Sequence, residues 1–181
     1  MQEMIDVYDK NRRIVGPPRP RKGEGSRLSM DEYALVVIAL LENEEGKYLI
    51  TQRSMDKAWG AGWWEVSGGG ASQGESSRDA IDREVREETG LEIEKEKPVS
   101  IYCYVNQDQK HPEHPDNYFC DIYHFKFDFD LSDVKLQEEE TLGGKLVRLD
   151  EMDAIAEKGE FLHYARIKEA LAAEEVIKKM K

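Results

Sequence analysis

Cysteine, long apolar runs and positive charge are all scarce in this 181-residue chain. Its two cysteines, Cys103 and Cys120, form neither a C-x-x-C pair nor a His/Cys ligand spacing. Zinc is therefore not expected, and free thiols in a reducing cytoplasm are. No apolar run approaches the roughly 18 residues that cross a bilayer. The polar first residues do not read as a signal peptide, so a cytoplasmic location and no membrane partner are expected. Lys and Arg number 26 against 38 Asp and Glu, a net charge of −12. That sign argues against a protein that coats nucleic acid or an anionic membrane. It would also repel a phosphate ester, which must then be attracted by bound metal or by locally basic residues.

One stretch reverses the sign. Residues 10–27 hold seven Lys or Arg and one Glu, and residues 16–26 hold three prolines and three glycines. Such a segment is extended and loop-like. It is either a solvated loop or a grip on substrate phosphate or a partner subunit.

The length suits a single domain, residues 1–181, that buries its own core. Residues 1–30 read as an N-terminal hairpin and extended basic loop, and 31–181 as the core. The hairpin spans 4–15 and turns at Asp9-Lys10-Asn11. Residues 33–41, YALVVIALL, read as a strand buried on both faces. Turn residues follow at 43–46, then a second strand at 47–53. Further strands are expected at 99–105 and 118–129, the latter with one buried face over 123–129 because aromatics alternate there. Between them lies a polar loop in which His111 and His114 read as exposed residues. Residues 145–149 give a last strand, Asp150 an N-cap, and 161–181 a terminal helix.

The stretch 69–91, GGASQGESSRDAIDREVREETGL, carries the chemistry. A glycine-rich loop feeds a short helix: Ser76 or Ser77 suits the N-cap, the next dozen residues lack Gly and Pro, and Gly90 suits the left-handed position that stops a helix. Glu84, Glu87 and Glu88 then fall at i, i+3 and i+4, within one sector of roughly 100°. They repel one another, and they sit in the last turns, where the helix dipole is negative. A divalent cation would convert that liability into a site. Ligands that are all oxygen suit a hard ion, Mg²⁺ or Mn²⁺. The competing reading is a solvated face laced with i,i+4 pairs such as Asp79/Arg83 and Asp82/Arg86.

Position for position, Gly69, Glu75, Arg83-Glu84, Val85, Glu87-Glu88 and Gly90-Leu91 resemble the signature of the Nudix hydrolases. The resemblance implies an α/β fold, a three-layer α/β/α sandwich with a mixed β-sheet and the signature loop and helix at its catalytic edge. It implies hydrolysis of a diphosphate linkage in a nucleoside diphosphate derivative, by water attack on phosphorus. By the same match Glu84, Glu87 and Glu88 carry the metal, helped by the Gly69 carbonyl, while Arg83 pairs with Glu75 and holds Glu84. The general base is either a signature glutamate or one of Glu138, Glu139 and Glu140, with Glu140 preferred.

Substrate identity is less defined. Residues 49–54, LITQRS, with Gly62 and Gly68-Gly69, are similar to an extra motif of coenzyme A pyrophosphatases. They depart from it at Ala58, Val66 and Ser67, so ADP-ribose-like, nucleotide and coenzyme A-like substrates all stay open. Arg53 and Trp64 are the candidate substrate contacts, and the aromatics at 59–64 serve either core packing or base stacking. Many relatives are dimers, and the N-terminal hairpin is the candidate homodimer contact. Residues 8–70 also resemble the entry to isopentenyl diphosphate isomerases, but no Cys stands between Thr51 and Gly70 to act as their acid or base. A non-catalytic nucleotide-binding module of the same fold is the other alternative.

Overall fold

The computed structural model describes residues 2–57, 59–107, 115–137 and 139–180. Ala58, Glu138, His111 and His114 lie outside the described residues. The apolar run becomes strand β3 (Ala34–Glu42), preceded by β1 (Met4–Ile5) and β2 (Arg19–Pro20). After it come β4 (Tyr48–Arg53), β5 (Trp64–Glu65), β6 (Ser67–Gly70), helix α1 (Ser77–Thr89), β7 (Ser100–Asn106), β8 (Tyr118–Lys126), β9 (Thr141–Val147), α2 (Leu149–Ala156) and α3 (Tyr164–Met180). The main sheet runs β5-β4-β3-β8-β7, with β6 added to β3 and β9 to β4; β1 and β2 form a separate antiparallel pair. The β4/β5 and β4/β9 pairs are antiparallel, and a parallel bridge from Trp64 to Phe161 makes the pattern mixed.

The chain forms two compact units. The first comprises Met1–Ile38, Gly68–Ile81 and Cys103–Asp121. Its hairpin forms as expected: Tyr8 bridges Ile14, and the Val15 N–H donates to the Val7 carbonyl at 2.8 Å. The basic segment is not wholly irregular, since Arg19–Pro20 pairs with Met4–Ile5 as β2. Arg12 then forks onto Asp121, donating from both terminal nitrogens. Ser77 Oγ donates to the same carboxylate at 2.5 Å, so one buried aspartate ties the hairpin to the first turn of α1. Val37 and Ala80 are fully buried here, and Val7 and Phe119 nearly so. Gly68 has no room for a side chain, because a Cβ would stand 2.3 Å from the Val37 carbonyl oxygen.

The second unit comprises Ala39–Ser67, Asp82–Tyr102 and Ile122–Lys181. Its turn is held by Asn43, buried, whose Oδ1 accepts from the N–H groups of Glu45 and Lys47 at 3.1 and 3.0 Å. Leu40, Leu41, Ile50, Val85, Phe125, Met152 and Ile167 are buried in its core.

Sequence expectations change at β8, at the start of α2 and at the last strand, which runs Thr141–Val147 rather than 145–149. Residues 121–125 of β8 are all buried, and alternation begins only past Lys126, where the strand has ended. Neighbouring residues of a strand point to opposite faces, so five consecutive buried residues mean that both faces of β8 are covered there. Helix α2 is capped at Arg148 rather than at Asp150: the Arg148 N–H donates to Glu151 Oε2 at 2.8 Å, which starts the helix at Leu149.

Candidate active site

Helix α1 begins where its capping chemistry dictates. Ser76 Oγ accepts from the Asp79 N–H at 3.1 Å while Asp79 Oδ2 accepts from the Ser76 N–H at 3.1 Å, a reciprocal box. It ends with equal definition. Thr89 Oγ1 donates to the Val85 carbonyl at 2.6 Å and accepts from the Leu91 N–H at 3.2 Å, and Gly90 turns at φ 70°. Val85 and Ile81 supply the buried face, and the glutamates run from the margin of that face, where Glu84 and Glu88 are partly covered, out to exposed Glu87.

Arg83 pairs with two of these glutamates. Its Nη1 lies 3.0 Å from Glu84 Oε1 and 3.2 Å from Glu87 Oε2, so one guanidinium nitrogen serves two carboxylates. Glu84 is mostly covered, with 12% of its side chain exposed, whereas Glu87 is 50% exposed. Glu88 is half-buried on the same helix. Glu75 folds back on its own loop, its Oε2 accepting from the Ser72 N–H at 2.7 Å. Gly69 lies in β6, one residue before Gly70, whose carbonyl accepts from Arg21 Nη2 at 2.7 Å.

Among the described residues no three Asp, Glu, His or Cys side chains stand gathered as a ready-made metal cage. The donor set nevertheless fits a hard cation. Glu84 and Glu87 are oxygen donors close enough to share one positive nitrogen, and the exposure of Glu87 leaves room for the waters that Mg²⁺ retains.

The other candidates fall in β4 (Arg53), in β5 (Trp64) and in the turn before β9 (Glu140). Arg53 Nη1 lies 2.7 Å from Glu65 Oε2, and Arg53 Nη2 donates to the Trp59 carbonyl at 3.2 Å. Burial raises the pKa of the Glu65 carboxyl, against the opposing pull of Arg53. Trp64 is half-buried, with the Lys145 ammonium 4.3 Å from its ring centroid. Glu140 is half-exposed and pairs with Lys57 at 3.0 Å. Glu65, Lys57 and Lys145 had no place in the sequence reading, although the charge of Glu65 between two tryptophan-flanked strand positions and the glycines offered a local signal. Arg21 lay within the basic segment but was not separable from its neighbours.

The NUDIX domain family model matches residues 32–168. An uncharacterised Nudix hydrolase of Listeria monocytogenes is 32% identical over 163 residues, covering 90% of this chain and 89% of the relative. Among solved structures, DR0079 from Deinococcus radiodurans superposes with a TM-score of 0.66 at 24% identity, covering 87% of this chain and 91% of that one. A bifunctional NMN adenylyltransferase/ADP ribose pyrophosphatase from Francisella tularensis gives 0.63 at 22% identity, covering 78% of this chain and 41% of that one. The two structures share the fold, an α/β sandwich with a mixed sheet.

Proposed function

The chain belongs to the Nudix hydrolases, and from that premise we propose that it is a divalent-metal-dependent pyrophosphohydrolase acting on a nucleoside diphosphate derivative. The observation that carries this reading is the sharing of Arg83 by Glu84 and Glu87 on a helix that is capped at both ends. Those two carboxylates with Glu88 would hold Mg²⁺ or Mn²⁺. When bound, the ion supplies neutralisation of the charge on the phosphoryl oxygens.

The chain's own residues do the remainder. Arg83 keeps Glu84 oriented through its 3.0 Å contact and balances the charge of the stripe. Glu140, our preferred general base, accepts the proton of the attacking water, with Lys57 paired to its carboxylate at 3.0 Å. Glu75 braces the glycine loop from within through the Ser72 N–H. Arg53 and Trp64 are assigned to substrate. The Trp64 ring offers a base-stacking surface with the Lys145 cation already beside it. We place the reaction in the cytoplasm, and among the described residues no helix is long and apolar enough to cross a membrane.

The test is a panel of ADP-ribose, nucleoside di- and triphosphates, dinucleoside polyphosphates and coenzyme A, incubated with Mg²⁺ or Mn²⁺ and with EDTA. Hydrolysis that stops with EDTA is the expected result. Tight nucleotide binding without turnover of any compound would replace the hydrolase with a binding module, and proton exchange on isopentenyl diphosphate would replace it with an isomerase.

A further inference from the structure

Residues 3–21 lie ahead of the stretch that the family model matches, 32–168, yet they hold the glycine-rich loop of the signature. β1 and β2 are two residues each, and so short a pair has little stability of its own. Its support is the loop. The Gln73 N–H donates to the Met4 carbonyl at 2.9 Å, and the Gly74 N–H donates to Asp6 Oδ2 at 2.7 Å. Arg21, next after β2, donates from Nη2 to the Gly70 carbonyl at 2.7 Å, and the same nitrogen lies 3.0 Å from Glu3 Oε1. The Arg21 N–H donates to the Glu3 carbonyl at 2.8 Å, which closes the ring of contacts. All of these residues belong to the first unit.

The loop needs holding because it has few side chains with which to hold itself. Gly68, Gly69, Gly70 and Gly74 bring none, and glycine loses more conformational freedom on folding than any other residue. Asp6 is buried, so its carboxylate and the Gly74 N–H fix each other. At Gly70 a Cβ would stand 2.3 Å from Arg21 Nη1 and 2.8 Å from its Cζ, so the guanidinium lies directly against the loop backbone. Two residues past Gly74 the chain enters the cap of α1, where Ser76 and Asp79 bond reciprocally. The placement of the loop therefore sets where the first turn of the signature helix starts.

We propose that residues 3–21 are a clasp that fixes the signature loop, residues 70–75, in its working conformation, with Asp6 and Arg21 as positioning residues for hydrolysis, a role that rests on the hydrolase reading above. They act through the loop rather than on substrate. Phosphoryl transfer depends mainly on placement, and a shift of about 1 Å can cost about 10²-fold in rate. The basic segment thereby has a task inside the protein, beside the two that its sequence suggested. Arg12 is committed to Asp121, Arg19 to Glu32 and the Arg27 carbonyl, and Arg21 to Gly70 and Glu3.

The test joins amide hydrogen exchange, followed by NMR, to kinetics on the full chain. Wild type is compared with Asp6→Ala, Asp6→Asn, Arg21→Ala and the surface control Lys22→Ala, each after its melting curve is recorded. Without metal, the Gln73 and Gly74 amides are expected to be protected in wild type. They should exchange at least about tenfold faster in Asp6→Ala and Arg21→Ala, with helix α2 within twofold of wild type. Asp6→Asn keeps an oxygen acceptor and should restore the protection. With Mg²⁺ and a phosphoanhydride that wild type hydrolyses, kcat should fall at least about tenfold in both Ala variants while KM stays within threefold. Asp6→Asn should recover to within threefold of wild type, and Lys22→Ala should match it. If Asp6→Ala does not fold, Arg21→Ala carries the comparison. Unprotected amides at 73 and 74 in wild type, or kcat within twofold of wild type in the Ala variants, overturns the clasp. A rate loss that tracks the folded fraction, or that Asp6→Asn does not restore, assigns the contacts to stability and overturns the positioning role. No hydrolysis by wild type overturns the hydrolase reading instead, and the exchange rates alone then decide whether the clasp holds the loop.

Discussion

His124 Nδ1 lies 2.6 Å from Glu174 Oε2, a buried contact between strand β8 and helix α3. The other ring nitrogen faces Glu42 Oε2 at 2.8 Å. One imidazole therefore bridges two carboxylates. Lys126 and Lys178 complete the network on the outer oxygens of Glu42 and Glu174. Removing Glu174 leaves the buried His124 Nδ1 without its carboxylate partner. Glu174→Ala should therefore cost about 3 kcal/mol, read as a lower urea midpoint at constant m value. A loss under about 0.5 kcal/mol, the size of an ordinary surface change, would show that the network is incidental.

The glutamate stripe makes a different prediction. Glu87→Gln and Glu88→Gln should each lower kcat by at least about 10²-fold, because removing charge stabilisation of a transition state typically costs several kcal/mol. Thermal stability should hold or rise slightly, since each substitution removes like-charge repulsion at a helix C-terminus. Wild-type rates in both variants would refute the assignment of the stripe.

Glu140→Gln should reduce kcat by about 10²-fold with a smaller effect on KM, as expected of a general base. If Glu140 serves only its ion pair with Lys57, the steady-state constants will stay within twofold of wild type.

Asp121 gives the pH prediction. Burial alone would raise its pKa, but the hydrogen bonds from Arg12, Ser77 and Cys103 outweigh burial and hold the carboxyl below its ordinary range. A folded-state pKa below the unfolded one stabilises the protein above the unfolded value, and the gain is lost as pH falls through the folded value. Asp121→Asn should thus cost about 2 kcal/mol near neutrality. The gap from wild type should close progressively below about pH 4. Denaturation curves for both proteins between pH 2 and 7 check this; a gap independent of pH would contradict the sign.

Gly68→Ala should destabilise by at least about 2 kcal/mol, because its Cβ would meet backbone, the Val37 oxygen, rather than a side chain that can move. Differential scanning calorimetry gives the measurement, and a melting temperature unchanged within a degree would sink the argument.

What could be read from the sequence was local. Helix α1, its cap at Ser76, its stop at Gly90 and the face shared by Glu84 and Glu87 all follow from residues within a few positions of one another. The same is true of the Asn43 turn. The contacts that were not legible join residues far apart: Arg12 with Asp121 across 109 positions, and His124 with Glu42 and Glu174 across 82 and 50. Asp121 and His124 did leave a trace, as polar residues inside an otherwise apolar and aromatic strand. Polar groups buried in a central strand must find partners, yet nothing local says which. Residues 123–129 misled for a related reason, because alternation reports a half-covered strand only when the sheet leaves one side open.

Arg83 bears on how this protein is made as well as on what it does. Glu84 and Glu87 have a counter-charge encoded in the same helical turns, so the polypeptide can reach its native state before it meets any cation. On the proposed reading, loading would be an exchange of one positive partner for another, and chelation would silence the enzyme but spare its architecture.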